Sequence, residues 1–354
     1  MSLVEVLVAF SVLIIVAVPL TTLFTASSKF ARVNRNRLLA ESLAQDKMET
    51  IRNLNYDNVG TDTGWPRGII SASVNGIEKG GVTFDERVDI RYVDDPYDGN
   101  IYGTVPGKGV DLYSNDYKKV QIRIYKDDNL LTELSSNVSP SGQETAVGTG
   151  VLEISALDGN GNAASDAQVE INDPGKSISI VTTTNIEGKV LVPALPPDTE
   201  AYGIKVSKGS LYSVDQTYAV TLENPNPVKK PLSVNVGKLT QSSFQIDQLS
   251  NVSLKLTLAS DPNESPILNP VNLKVTGNKT IGSDGAGLPI YKYQATALVE
   301  NGQINLPNLE WDTYTFELTG GSEAAWQIVE SVPPLPLVLN PGVNVNLVIK
   351  LQNL

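Results

Sequence analysis

The chain contains no cysteine and no histidine. The first absence excludes thiol nucleophiles, disulfide staples and thiolate zinc sites; the second removes Ser-His-Asp triads and the commonest transition-metal ligand. Stability must come from packing and hydrogen bonds, which 354 residues can supply. Charged residues make up only 19% of the chain and apolar ones 41%, a balance that fits neither disorder nor wholesale membrane embedding. Basic residues are scarce as well, 27 Lys and Arg against 39 Asp and Glu, for a net charge of −12. Residues 1–55 hold six basic and four acidic side chains, which leaves 21 basic and 35 acidic for the remainder. So acidic a body lacks the clustered cations that phosphate contacts need, and no nucleic-acid partner is expected. No paired carboxylates are placed as a glycosidase would need them, so the chain reads as a non-enzyme with no cofactor.

Charge is scarcest at the start. From Met1 to Ala26 the sole charged side chain is Glu5. An α-helix needs roughly 20 apolar residues, at about 1.5 Å of rise each, to cross a hydrocarbon core. The run therefore has membrane length, and Glu5 within it costs about 2.5 to 3.5 kcal/mol unless partnered. The nearest cation in reach is an α-amino group, its own or that of an axially shifted copy. Nothing basic precedes Leu3, whereas Lys29, Arg32, Arg35 and Arg37 follow the run. Taken alone, that order would turn the carboxyl end toward the cytoplasm.

The Ser-Leu-Val-Glu-Val-Leu-Val-Ala start, the acidic fifth residue and the apolar continuation resemble the mature N-terminus of type IV pilins and pseudopilins. The resemblance is specific over Ser2 to Val16 and extends loosely to Asn55. It implies that a basic leader is removed by a prepilin peptidase, that Met1 is the N-methylated first residue, and that Glu5 pairs with the N-terminus of an adjacent subunit. It further implies assembly through Leu3, Val4, Leu7 and Phe10, with Pro19 as a helix irregularity. The expected partners are like subunits in a helical filament, the pilus assembly machinery, and the cytoplasmic membrane before assembly. The expected location is the cell surface. Many pilins close a C-terminal loop with a disulfide, which this chain cannot do.

Along the chain, Pro19 lacks an amide donor and predicts a kink or local unwinding just before it. From Ser27 the helix turns amphipathic: Phe30, Val33, Ala40, Leu43, Ala44, Met48, Ile51 and Leu54 share one arc, with Arg37 and Lys47 as exceptions. Asn55, Asp57, Asn58 and Gly60 mark its stop. Val82, Phe84, Val88, Ile90 and Tyr92 then alternate with polar neighbours, as do Val120, Ile122 and Ile124, and Leu130 to Ser136 forms a third run. The loop between Val93 and Tyr117 is too long for a simple connector and suits a subunit contact. Pro140 to Gly150 reads as a linker.

An internal repeat follows. Gly188–Thr199 and Gly302–Thr313 match without a gap at an offset of 114, with Gly, Pro and Asp-Thr coinciding and apolar positions aligned. Two tandem antiparallel sandwiches of about 90 to 115 residues fit this pattern. The Gly-x-apolar-x-apolar-Pro-x-Leu segments and the aromatic strands at Tyr202 and Tyr314 to Phe316 resemble carboxypeptidase-regulatory-like and collagen-adhesin B-type modules. The resemblance implies a prealbumin-like sandwich used as a stalk or adhesive display.

The expected fold class is α+β: a long N-terminal helix (1–55) packed on a small antiparallel sheet as a pilin-like head (56–147), then two all-β sandwich modules (148–238 and 239–354). The expected function is a structural subunit of a type IV pilus; the alternative is a minor pilin or tip adhesin whose modules bind a surface or host ligand. No catalytic residue is expected. Asp94, Asp95, Asp98 and Asn100 form a weak calcium candidate, and Asp158 to Asn162 begins like a calcium loop but lacks Glu at its twelfth position, Val169. Lys255, Asn344 and Asn346 should face away from the core, which argues against a Lys-Asn cross-link.

Overall fold

The computed structural model describes residues 3–111, 115–140 and 148–354, with the backbone alone for 4–12, 14–16 and 18. The architecture is one long N-terminal helix and otherwise mostly β, in several sandwich-like sheets. The chain divides into two compact units, Met1–Asp95 with Asn115–Glu144, and Pro96–Ser114 with Thr145–Leu354.

In the first unit, helix α1 spans Leu3–Arg52, about 75 Å at 1.5 Å per residue. It is helical through Pro19, with no break where the sequence predicts unwinding. Proline removes one amide, and the turns beside it hold. The hydroxyls of Thr21 and Thr22 also bond back to the carbonyls of Ala17 (3.1 Å) and Pro19 (2.7 Å). Four antiparallel strands follow: β1 (Ser73–Lys79), β2 (Val82–Val93), β3 (Tyr117–Lys126) and β4 (Asn129–Val138), in that spatial order. Ala40, Ala44, Met48 and Ile51, one helical stripe, share a core with Phe84, Val88 and Ile90 of β2 and Val120, Ile122 and Ile124 of β3. Every second residue of each strand faces that stripe, as period-two alternation requires. Two of these inward positions are ionisable, Glu86 and Lys118, and both are buried.

The second unit holds two sandwiches of one topology. The first has β5 (Gly150–Leu157), β6 (Gln168–Asp173), β7 (Ile178–Thr183), β8 (Lys189–Leu195), β9 (Asp198–Ser207), β10 (Leu232–Val234) and β11 (Leu239–Gln245). One sheet runs β8-β5-β11, and the other centres on β9, with β6 then β7 on one side and β10 on the other. The second has β12 (Ser250–Leu258), β13 (Val271–Gly277), β14 (Gln294–Val299), β15 (Gln303–Leu309), β16 (Asp312–Leu318), β17 (Trp326–Val332), β18 (Leu337–Leu339) and β19 (Asn344–Asn353). Its sheets run β15-β12-β19-β17 and β14-β13-β16-β18. In each sandwich the first and last strands pair in parallel, β5 with β11 and β12 with β19. Leu239–Gln245, which the sequence places at the start of the second module, thus completes the first. Alternation alone does not reveal which neighbour a strand takes.

The repeat extends to the backbone. Gly188 and Gly302 both lie at positive φ, +71° and +65°, and an added Cβ would come within 2.5 Å of Ala156 O and 2.6 Å of Ile267 N respectively. Ala194 and Asn308 share a left-handed φ of 58° beside register shifts in β8 and β15. Tyr202 and Tyr314 donate to the carbonyls of Pro196 (2.5 Å) and Glu310 (3.0 Å), which are equivalent positions at the same offset.

The loop 96–111, which the sequence assigns to the head, groups with the second unit. There the Tyr102 hydroxyl donates to Glu153 of β5, a buried carboxylate that also accepts from Gln241 Nε2 at 2.9 Å.

Candidate functional site

Among the described residues, the N-terminal helix and a cleft between the sandwiches present chemistry beyond packing. The C-terminal half of α1 is clamped to the β1–β2 hairpin. Arg35 Nη2 donates to Gly80 O at 2.6 Å, and Lys79 Nζ reaches Ser42 Oγ (3.0 Å) and Asp46 Oδ2 (2.5 Å). Lys47, the polar exception on the helical arc, meets Glu86 at 2.8 Å. Gly80, at φ +60°, brings the hairpin tip against Leu39, whose methyls would lie 3.1 Å from any added Cβ.

Ahead of Leu39 the large apolar side chains among the described residues have no such cover. Leu20, Leu23, Phe24, Phe30, Val33 and Leu38 are all exposed, Phe24 by 75%. The sequence predicts Phe30 and Val33 on the buried arc. Apart from the Arg35 guanidinium on Gly80 O, the sheet packs against the helix from about Leu39 on, and Phe30 and Val33 stay exposed. Of the assembly residues read from the sequence, Leu3 is exposed and Pro19 lies within the helix, also exposed. Met1, and the side chains of Val4, Glu5, Leu7 and Phe10, fall outside the described residues. Among the described residues no helix is long and apolar enough to cross a membrane.

The acidic candidates distribute differently. Asp94 and Asp95 belong to the first compact unit, Asp98 and Asn100 to the second. Asn100 Oδ1 accepts from the amides of Tyr102 and Thr104, both at 3.1 Å, and so serves its own turn. Asp158 likewise accepts from the amides of Asn160 and Asn162 and from Asn162 Nδ2. The Asn162 side chain, then backbone amides, hold its carboxyl below the usual range. It organises a hairpin turn. Lys255 is half-buried on β12, while Asn344 and Asn346 are exposed, so this trio does not meet in an apolar core.

The cleft between the sandwiches, about 460 Å³, is lined by Tyr212, Tyr218, Lys279, Lys292, Tyr293, Glu310, Asp312 and Tyr314 among others. Glu310 sits between two ammonium groups, Lys292 at 2.6 Å and Lys279 at 3.4 Å. Lys279 also lies over the Trp311 ring, 3.3 Å from its centroid. Burial pulls the Lys279 ammonium down while Glu310 opposes the shift, and burial pushes the Tyr218 phenol up to about 12, with Asp215 and Glu310 adding to it. Lys292 Nζ also donates to Val214 O at 2.6 Å, tying one sandwich to the other. Asn226–Pro227 pairs with Thr280–Ser283 across the same junction. These charges compensate one another, so the cleft is suited to holding surfaces together or gripping a polar ligand. The sequence carries one signal of it. At the repeat offset, Pro196-Pro197-Asp198 becomes Glu310-Trp311-Asp312, the place where the second copy gains a carboxylate and an indole.

No family model matches the chain, and no curated protein matches it. Solved structures do align with parts of it. The Bacillus anthracis TIE protein is 13% identical over 67% of this chain and 43% of its own, with a TM-score of 0.24. A streptococcal ancillary pilin is 12% identical over 66% and 76%, with a TM-score of 0.25. The shaft pilin SpaA of Lactobacillus rhamnosus GG is 10% identical over 58% and 99%, with a TM-score of 0.20. The chain thus spans less than half of the TIE protein. Superpositions this loose leave function to be argued from the chain's own geometry.

Proposed function

We propose that the chain is a structural subunit of a type IV pilus. The head formed by α1 and the β1–β4 sheet would sit around a core of packed helices, and the sandwich modules would be displayed outside it. The observation that carries this reading is the split character of α1. From Leu39 on, one face is buried on its own sheet, while Leu20, Leu23, Phe24, Phe30, Val33 and Leu38 are exposed among the described residues. Exposed apolar surface of that extent on an otherwise acidic body marks an interaction site. Helices of neighbouring copies are its natural cover, with the Glu5 carboxylate pairing with a neighbour's amino terminus to set the axial register.

A misregistered copy would bury Glu5 unpaired, at a cost of about 3 to 5 kcal/mol. Glu5→Ala should therefore sharply reduce filament recovery from sheared cells while leaving the thermal midpoint of the purified chain unchanged. Normal filaments from that variant would sink the register mechanism. The cleft at Lys279, Lys292 and Glu310 favours a second reading, a minor subunit or tip adhesin that grips a surface ligand. Subunit stoichiometry in sheared filaments separates the two, since a dominant band belongs to the structural subunit.

A further inference from the structure

The junction between the sandwiches is held by contacts that need no cavity. Lys292 Nζ donates to Val214 O, Asn224 Nδ2 donates to Ile281 O at 3.3 Å, and Asn226–Pro227 pairs with Gly282 and Ser283. A seam that served only to join modules would close over its own side chains, and this one stays open. Beside the 460 Å³ cleft lies a second recess of about 240 Å³, lined by Asp215, Val228, Lys229, Gln245 and Trp311 among others. Tyr218, Lys279, Lys292 and Glu310 border both, so the two are halves of one groove. Concave space of about 300 to 1,000 Å³ at a module boundary, walled by aromatics with a few convergent polar groups, is where small ligands bind.

Charge and hydrogen-bonding capacity narrow what fits. Among the described residues the groove carries Lys229, Lys279 and Lys292 against Asp215, Glu310 and Asp312. Lys229 lies 2.7 Å from Asp215, Glu310 holds the other two ammonium groups, and Asp312 accepts from the amides of Lys279 (2.9 Å) and Thr313 (2.7 Å). An ionic ligand would unbalance this set in a partly desolvated site. A neutral polar one would not. An ammonium has three N–H donors and a carboxylate oxygen about two acceptor sites. Lys292 uses two donors, on Glu310 and Val214 O, and each Glu310 oxygen meets one ammonium, so donors and acceptors are left side by side. Half-buried Tyr212, Tyr218 and Tyr293 add flat walls. Sugars match that combination: vicinal hydroxyls donate and accept together, and the C–H groups of a pyranose form an apolar face that stacks on an aromatic ring.

The repeat shows that these side chains are not demanded by the sandwich itself. Gly188 and Gly302, Ala194 and Asn308, and Tyr202 and Tyr314 do the same work in both copies, yet Pro196-Pro197 becomes Glu310-Trp311. The first copy makes its strands without a carboxylate or an indole there. In the second, Trp311 carries the Lys279 ammonium over its ring and Glu310 joins it to Lys292.

We propose that this groove binds a neutral saccharide, with Tyr218 as a stacking wall and Glu310, Lys279 and Lys292 as the grip on its hydroxyls. The proposal rests on the second reading above, a subunit that displays a ligand site, and not on assembly through α1.

The test uses the full chain in a detergent without a sugar headgroup, titrated with cellobiose, maltose and lactose as neutral probes and digalacturonic acid as the acidic one. Calorimetry and saturation transfer to ligand protons give the readout. At least one neutral probe should bind, and the acidic probe roughly tenfold or more weakly than it. Tyr218→Ala should weaken that neutral probe about tenfold or more. Glu310→Gln keeps the shape but leaves two ammonium groups without a counter-charge, and should reverse the preference in favour of digalacturonic acid. Circular dichroism establishes that each variant folds, and Tyr218→Ala decides if Glu310→Gln does not. No neutral probe bound at about 10 mM, or binding that Tyr218→Ala leaves unchanged, would overturn the proposal. Tighter binding of the acidic probe by the parent would overturn the neutral class and leave the ligand-displaying reading standing, which filament stoichiometry tests by itself.

Discussion

Lys118 is the residue whose setting is least ordinary. It sits 2% exposed on the inward face of β3, with Nζ donating to Tyr56 O at 2.7 Å and lying 4.2 Å and 5.5 Å from the Tyr56 and Tyr92 ring centroids. Burial lowers its ammonium to about 8, although Asp57 pulls the other way, and burial lifts the Tyr92 phenol to about 12. Below about pH 8 both folded and unfolded chains hold the Lys118 proton. Between about 8 and 10.5 only the unfolded chain does, so stability should rise with pH across that window. Above pH 10 the sign reverses at Tyr92: the folded chain keeps a proton the unfolded one loses, and stability falls toward pH 12. Denaturant midpoints measured from pH 7 to 12 should trace this rise and fall. Lys118→Met should flatten the rise and leave the fall. A parent chain whose midpoint is level from pH 8 to 10 would refute the cost assigned to the buried ammonium.

At the level of elements, the helix and sheet of the first unit meet at an apolar seam that holds an ion pair with a buried carboxylate. Glu86 is 3% exposed and Lys47 is its partner at 2.8 Å. Lys47→Met strands that carboxylate in the core and should cost about 3 to 5 kcal/mol, whereas Lys47→Met with Glu86→Met should recover most of it. Urea midpoints of the single and double variants give the answer, and a double variant no better than the single would show that the pair does more than cancel charge. Both partners were visible in the sequence as interruptions: Lys47 on the apolar arc, and the polar gap between Phe84 and Val88. Helix, strands and repeat were legible because each leaves a period in the side chains. The closing role of β11, the transfer of 96–111 to the second unit and the junction cleft were not, since each depends on which distant segment comes to lie alongside. Even the exposed stretch from Phe30 to Leu38 shows this limit: an apolar arc marks a face to be covered and does not say by what.

For the whole molecule, the two sandwiches are wired in series by the same device. Each begins on the strand that pairs in parallel with the one on which it ends, over seven residues in β5–β11 and eight in β12–β19. In the proposed filament, tension would pull the start of the first strand and the end of the last in opposite directions. Parallel neighbours loaded in that way slide against each other. Their ladder bonds must then fail together, whereas an antiparallel hairpin pulled from its open ends peels one bond at a time. Single-molecule pulling through the termini of the full chain should show two abrupt high-force events, one per sandwich. Gradual low-force unravelling of either would contradict this, and two sharp events would make the modules shock-resistant spacers whose strength lies in how strands are ordered rather than in any cross-link.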